Sequence, residues 1–321
     1  MKTIGIYSAY LETALQQTNF PESPSNLYDP LRYFLQLGGK RMRPMLSLMA
    51  CKLFSGSFEQ ALPAAIAVEY FHNFSLIHDD IMDNAPLRRG QATVHEKWNP
   101  SIGILSGDVL LVKAYAHLEH YDATTFHTLF KIFNKTAIEV CEGQQMDMDF
   151  EQRSEVTEAE YLEMIRLKTS VLLGCALQLG AIVGGAHPKD AQFIYAFGEQ
   201  LGLAFQIQDD LLDLFGQSAQ VGKQIGGDVL ANKKTLLSIS AKQAANSAQL
   251  ALLHQLEYAE DPYLKVQQTK ELYTDLGARH YCEQKMQLHH QKALNSLAQI
   301  EHVGSKIELT ELAEFLFSRT H

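Results

Sequence analysis

Two short stretches constrain this chain more than any other feature: Asp79-Asp80-Ile81-Met82-Asp83 and Asp209-Asp210-Leu211-Leu212-Asp213. Each reads Asp-Asp-x-x-Asp, and each ends a long apolar run with helical spacing. Residues four apart on a helix share a face, so Asp79 pairs with Asp83 and Asp209 with Asp213. Like charges at that spacing destabilise an isolated helix, and the C-terminal end of a helix further disfavours negative charge. A single cluster of this kind reads as a solvated acidic face. Two of them, each followed by basic residues (Arg88 and Arg89; Lys223 and Lys233), are explained together by cations that bridge to a phosphate. Carboxylate oxygens suit magnesium, which typically takes one or two carboxylates plus substrate phosphate oxygens.

No stretch shows the alternation of a strand, so the expected class is all-α. No composition break marks a linker, and a single domain over residues 1–321 is expected. With 46% hydrophobic residues, the chain can bury a large core. Its net charge of −10, with no basic stripe, argues against a nucleic-acid partner. Cys51, Cys141, Cys175 and Cys282 are scattered, with no C-x-x-C pair, and read as thiols in a reducing compartment. The N-terminus lacks signal-peptide character, and no run of 18 uninterrupted apolar residues suggests a transmembrane segment. A cytoplasmic protein is expected.

Taken in order, a short amphipathic helix is predicted over about residues 7–17, then a loop over 19–30. A second helix is expected to start at Asp29-Pro30 and to stop at Gly38-Gly39. Lys40, Arg41 and Arg43 follow that glycine pair, which would let an anion approach the backbone, and a helix is expected over 45–54. Residues 61–82 are almost all apolar or aromatic, as in a buried central helix. His72 lies seven residues before Asp79 and reads either as a core residue or as a phosphate contact. Residues 84–90 break the helix and bring Arg88 and Arg89 to its acidic end; arginine's planar fork suits phosphate.

Further helices are expected from Gly107-Asp108 to about 120, and over 124–150, where the polar group 142–147 suggests a cavity lining. Thr157-Glu158-Ala159-Glu160 is a capping box opening a helix to about 183, with Lys168-Thr169 in its middle. Lys168 there is either snorkelling or facing a pocket. The next long helix carries Phe205-Gln206-Ile207-Gln208 into the second acidic motif. The glycine- and lysine-rich stretch 222–235 reads as a lid. Beyond Leu236 the sequence is helical and chemically quiet, and His254, His280, His289, His290 and His302 read as surface residues.

Taken together, Gly-Gly-Lys-x-x-Arg-Pro, Asp-Asp-x-x-Asp-x(4)-Arg-Arg-Gly, Lys-Thr, and Phe-Gln-x-x-Asp-Asp-x-x-Asp with a trailing Gly-Lys resemble the trans-isoprenyl diphosphate synthases, the polyprenyl synthetase family. The resemblance spans about residues 31–235. It implies a bundle of long antiparallel helices around a deep apolar cavity, a homodimer, and three magnesium ions. It implies that an allylic diphosphate ionises and is attacked by isopentenyl diphosphate, with loss of a proton. Asp79, Asp83 and Asp209 resemble direct metal ligands, and Asp80, Asp210 and Asp213 further or water-mediated ones. Arg88, Lys168, Lys223 and Lys233 resemble the allylic diphosphate grip. Lys40, Arg43, His72 and Arg89 resemble the isopentenyl diphosphate site. Thr169 and Gln206 would set oxygen dipoles near the developing cation.

Ser75, four residues before Asp79, leaves space beneath the metals; Phe74 stands where relatives often place a bulky stop, and Phe71 a turn deeper. Of these, only Ser75 and Phe71 share the face of Asp79 on an ideal helix, so a gating role for Phe74 rests on the resemblance. A fifteen- or twenty-carbon product is expected, with twenty favoured. The first motif lacks the four-residue spacing of many bacterial short-chain members, and the tail retains only Arg319, two departures from many relatives. Competing readings are a non-catalytic partner subunit of the same fold, an HD-type metal phosphohydrolase suggested by His72 and His78-Asp79, and a terpene cyclase. The intact acidic motifs, the second acidic set, and the cations Lys40, Arg43 and Arg89 weigh against these in turn.

Overall fold

In a computed structural model, residues 2–216, 225–302 and 304–317 are described, and they are overwhelmingly α-helical. The helices are α1 Lys2–Gln16, α2 Ser25–Gln36, α3 Met42–Ser55, α4 Leu62–Met82, α5 Val94–Lys97, α6 Pro100–Leu118, α7 Ala123–Gln152, α8 Glu158–Ile165, α9 Val171–Val183 and α10 Pro188–Phe215. They continue as α11 Gly227–Leu230, α12 Leu236–Ala244, α13 Ser247–Glu257, α14 Pro262–Asp275, α15 Ala278–Ala298 and α16 Ile307–Phe317. The chain forms two compact units: Met1–Ala137 with Cys175–Tyr195 and Glu301–Glu308, and Ile138–Gly174 with Ala196–Ile300 and Leu309–His321.

In the first unit, α4 is the buried central helix. Ala64 to Val68, Tyr70, Phe71, Phe74 and Ile77 are all buried, and each large side chain so placed contributes roughly 1.5–3 kcal/mol. It packs on α3 and α6. Gly107 is needed there because a Cβ would stand 2.4 Å from Nε2 of His78, which donates to the Ile104 carbonyl at 3.1 Å.

In the second unit, both arms of the Thr157–Glu160 capping box are present. Helix α8 does not run directly into α9. Residues Arg166–Ser170 widen into one π-helical turn, so Lys168 and Thr169 sit on a bulge. Such turns occur mostly at functional positions. Two glycines accommodate its girth: a Cβ on Gly143 of α7 would lie 2.3 Å from the Lys168 amide, and one on Gly202 of α10 would lie 2.6 Å from Cα of Ser170. Around the bulge, Tyr161, Ile165, Ile207, Leu211, Leu236 and Cys282 belong to one buried cluster.

Several expectations need correction. Helix α2 begins at Ser25, and Pro30 lies inside it; burial of Pro30, Leu31, Phe34 and Leu35 outweighs one lost hydrogen bond. Helix α3 begins at Met42, ahead of its proline. Helix α6 starts at Pro100, where the Asn99 side chain caps the Ile102 amide at 2.9 Å, and Gly107 is interior. Leu87–Arg88 and Gln91–Ala92 form a small antiparallel hairpin. His289 and His290 are buried. His289 falls on the stripe Cys282, Met286, Ala293, Leu297 and donates to Oε1 of Gln200 at 2.8 Å, while His290 stacks on Phe317 at 4.3 Å. By length and hydropathy Pro100–Leu118 and Glu158–Val183 could each cross a membrane, but 72% of the most apolar stretch of the second is buried within the protein.

Gly143→Ala is expected to overpack the π turn, lowering stability by about 1–3 kcal/mol. Thermal denaturation checks this, and an unchanged midpoint would show that the turn yields freely.

Candidate active site

The three cations after Gly38-Gly39 divide in two directions. Arg41 takes a left-handed backbone, φ 46°, and turns inward. Its Nη1 reaches Glu69 at 2.5 Å, Nε reaches Glu12 at 3.0 Å, and Nη2 donates to the Leu35 carbonyl at 2.7 Å. Glu69, buried in the apolar helix α4, also accepts from Nδ2 of Asn73 at 2.8 Å. Removing one partner of such a buried pair costs roughly 3–5 kcal/mol. Arg41 is therefore an internal strut. Lys40 stays exposed, and Arg43 donates through Nη1 to Nε2 of His72 at 3.1 Å.

That hydrogen bond fixes the His72 tautomer, since a guanidinium only donates; the ring proton sits on Nδ1. Burial, then Arg43, Arg89, Arg88 and Arg41, hold His72 well below the ordinary histidine pKa. It is a neutral side chain among four arginines.

The Arg88-Arg89-Gly90 sequence is explained by the hairpin. Arg88 lies on the first strand and grips the buried Asp80, with Nε at 2.8 and 2.9 Å and Nη2 at 2.7 Å from its carboxylate. Arg89 and Gly90 are the two turn residues, and both have positive φ, 54° and 77°, as the tightest hairpins require. This strained position lays the Arg89 guanidinium over Gly39, where a Cβ would be 2.8 Å from its Nη2. The structure thus gathers Arg43, His72, Arg88 and Arg89, with Lys40 beside Gly39.

Helix α4 ends with Asp83, whose N–H returns to the Asp79 carbonyl at 2.8 Å. Asp79 is half-buried and Asp83 exposed, whereas Asp80 is buried against Arg88. Behind them Ser75 donates to the His72 carbonyl at 2.9 Å. Phe74 packs on Phe71 and on His78, at 5.6 and 4.7 Å between centroids. Phe71 continues the row to Phe133 at 5.5 Å, and Phe133 to Tyr115 at 5.2 Å.

The second unit holds a cavity of about 980 Å³ whose lining includes Lys168, Thr169, Gln206, Asp210, Asp228 and Lys233. Lys168 pairs with Asp147 at 2.5 Å. Thr169 donates to Oε1 of Gln206 at 3.2 Å, and Nε2 of Gln206 donates to Asp210 at 3.2 Å. The buried Asp210 also accepts from the Tyr161 hydroxyl. Burial, then Asp228, push the Asp210 pKa up to about 8 against those two donors, with Asp209 adding. Asp209 is exposed, and Asp213 accepts from the Asp228 amide at 3.0 Å. Lys223 lies outside the described residues.

Asp147, Tyr161 and Asp228 were not singled out from the sequence. Asp147 closes the polar group 142–147, which did carry a signal; Tyr161 and Asp228 read as an ordinary helix residue and part of a loop. Among the described residues no three metal-ligating side chains converge into a ready centre. Oxygen donors in pairs, completed by phosphate, are how magnesium is usually held, so the aspartates fit that ion.

Gly39→Ala is expected to displace the Arg89 side chain and to weaken binding of inorganic pyrophosphate about tenfold, one charge-assisted contact being worth roughly 1.5–3 kcal/mol. Calorimetric titration measures it; unchanged affinity would detach Arg89 from anion binding.

Comparison with known proteins bears on these sites together. The sequence model of the family described as polyprenyl synthetase matches residues 24–276. A geranylgeranyl pyrophosphate synthase of Geoglobus acetivorans is 37% identical over 303 residues, covering 94% of this chain and 93% of that protein. A crystal structure of a geranylgeranyl pyrophosphate synthase superposes with TM-score 0.93 at 41% identity, over 100% of this chain and 99% of the other. The geranylgeranyl pyrophosphate synthase of Corynebacterium glutamicum, solved with calcium and isoprenyl diphosphate, gives TM-score 0.82 at 27% identity, over 99% and 96%. A match of this extent places the chain in the polyprenyl synthetase family.

Proposed function

We propose that the chain is a trans-prenyltransferase that joins isopentenyl diphosphate head-to-tail to an allylic diphosphate, with a twenty-carbon product favoured and a fifteen-carbon one next. The observation that carries this reading is the neutral His72 set among arginines on the helix that ends in Asp79 and Asp83. So much positive charge calls for a polyanion, and the adjacent carboxylates call for cations. The relatives' names support the product class. Both compact units are read as parts of one catalytic domain, because the family match runs through both.

Lys40, Arg43, His72 and Arg89 would hold isopentenyl diphosphate. His72 would contribute one hydrogen bond, from Nδ1, and Arg43 and Arg89 would contribute charge, with donors already aimed before binding. Asp79, Asp83 and Asp209 would hold three magnesium ions, with Asp213 assisting. These ions, when bound, take up charge that builds on the departing diphosphate. Lys168, Lys233 and Lys223 would grip that same group. Arg88 would reach it by leaving Asp80, an exchange that would free Asp80 for metal. Thr169 and Gln206, already hydrogen-bonded to each other, would present oxygen dipoles to the allylic cation. The apolar cavity that the family resemblance implies would exclude water that would quench it.

Phe74, Phe71 and the ring row beyond them would set the floor under the growing chain, with Ser75 leaving space above. A homodimer is proposed as well. Ile104, Leu105 and Val112 lie exposed on α6, apolar surface that a second copy would cover, and a monomeric mass in light scattering would contradict it. A reducing cytoplasmic setting suits the four cysteines, which form no disulfide and of which three are buried.

Incubation with isopentenyl diphosphate and each of the three common allylic primers tests the reading. Chain elongation with pyrophosphate release is expected; orthophosphate release alone would favour a phosphohydrolase, and no turnover a non-catalytic subunit. Phe74→Ala is expected to lengthen the product by at least one five-carbon unit in the same chromatograms. An unchanged product would remove Phe74 from the floor.

A further inference from the structure

Lys265 lies on α14, in the part of the chain with no recognisable chemistry. It is nevertheless an ammonium only 5% exposed. Its Nζ donates to three neutral oxygens: Oδ1 of Asn232 at 2.8 Å, the Glu257 carbonyl at 3.0 Å and the Leu230 carbonyl at 3.5 Å. Burying a cation against neutral partners is unfavourable, and a methionine would fill similar space at less cost. Burial accordingly pushes the Lys265 pKa down, with the charge on the Glu257 carboxylate opposing it. The charge is held for the geometry it imposes.

That geometry is a closed triangle. Asn232 accepts from Lys265 through its side-chain oxygen and donates through Nδ2 to the same Glu257 carbonyl, at 3.1 Å. Its backbone is left-handed, φ 52°, a conformation asparagine tolerates better than most residues. The turn after α11 is therefore pinned to the end of α13 and the start of α14. Asn232 and the next residue, Lys233, both border the cavity lined by Lys168 and Gln206, but both polar atoms of the Asn232 side chain are taken up by Lys265 and Glu257. The Lys233 amide donates to the Asp228 carbonyl at 2.9 Å, and its Nζ stands 3.9 Å from the Asp228 carboxylate. Where Lys233 points is set by where Asn232 turns.

We infer that Lys265 and Asn232 are positioning residues for Lys233, fixing the turn that delivers its side chain to the allylic diphosphate without touching that substrate themselves. This rests on the diphosphate role proposed above for Lys233.

The test is steady-state kinetics of Lys265→Met, Asn232→Gly and Lys233→Ala, with each single clamp variant also combined with Lys233→Ala. Glycine at 232 keeps the left-handed turn and removes only the side chain, so it decides the matter if Lys265→Met does not fold. The expected result is that each clamp variant raises KM for the allylic diphosphate about tenfold, leaves KM for isopentenyl diphosphate within about twofold, and adds nothing further to Lys233→Ala. Allylic KM values that stay at wild type in the clamp variants, or penalties that multiply with Lys233→Ala, would overturn the inference while leaving the Lys233 role intact. If Lys233→Ala itself changed neither KM, the Lys233 role would fall, and this inference with it.

Discussion

Like charges brought close together without immediate cancellation are the constraint on which this structure depends. Arg43, Arg88 and Arg89 crowd around His72, and aspartates recur at four-residue spacing on two helices. Neither arrangement is favourable in an empty protein. The fold holds them with internal ion pairs and one neutral ring: Glu69 and Glu12 take Arg41, Asp80 takes Arg88, and His72 stays uncharged. On the reading proposed above, a diphosphate and its metal ions would supply the remaining counter-charges.

Glycine is the second recurring device, and in each case it admits a specific group. Gly39 accepts the Arg89 guanidinium, Gly107 the His78 ring, and Gly143 and Gly202 the widened turn that carries Lys168 and Thr169. A side chain at any of these positions would push on a group assigned to the chemistry or on its support. The strained backbone at Arg89 belongs with them, because a tight hairpin forces its φ while aiming its charge.

The sequence made the helical class, the central apolar helix, the Thr157 capping box and both acidic motifs legible, since spacing alone places carboxylates on one face. It could not divide Arg41 from Arg43, because which cation turns inward depends on a left-handed residue with no local signature. Glu69, a lone acid in an apolar run, was the available hint. Nor could it show the π turn at Lys168, which packing against two glycines permits rather than any propensity. His289 was misread because a histidine on a helix looks solvated until its stripe is counted against Cys282 and Met286. The start of α2 was misplaced because Pro30 carries the pattern of a helix opening while sitting in an interior position.

Two kinds of anion site are proposed, one built from arginine and histidine and one that would need metal ions to exist. Calorimetric titration of isopentenyl diphosphate and of an unreactive allylic diphosphate analogue, each with and without magnesium, tests that division directly. The account predicts that isopentenyl diphosphate binds in both conditions and the allylic analogue only with magnesium. Equal allylic affinity without the metal, or isopentenyl diphosphate binding that vanishes without it, would contradict the account.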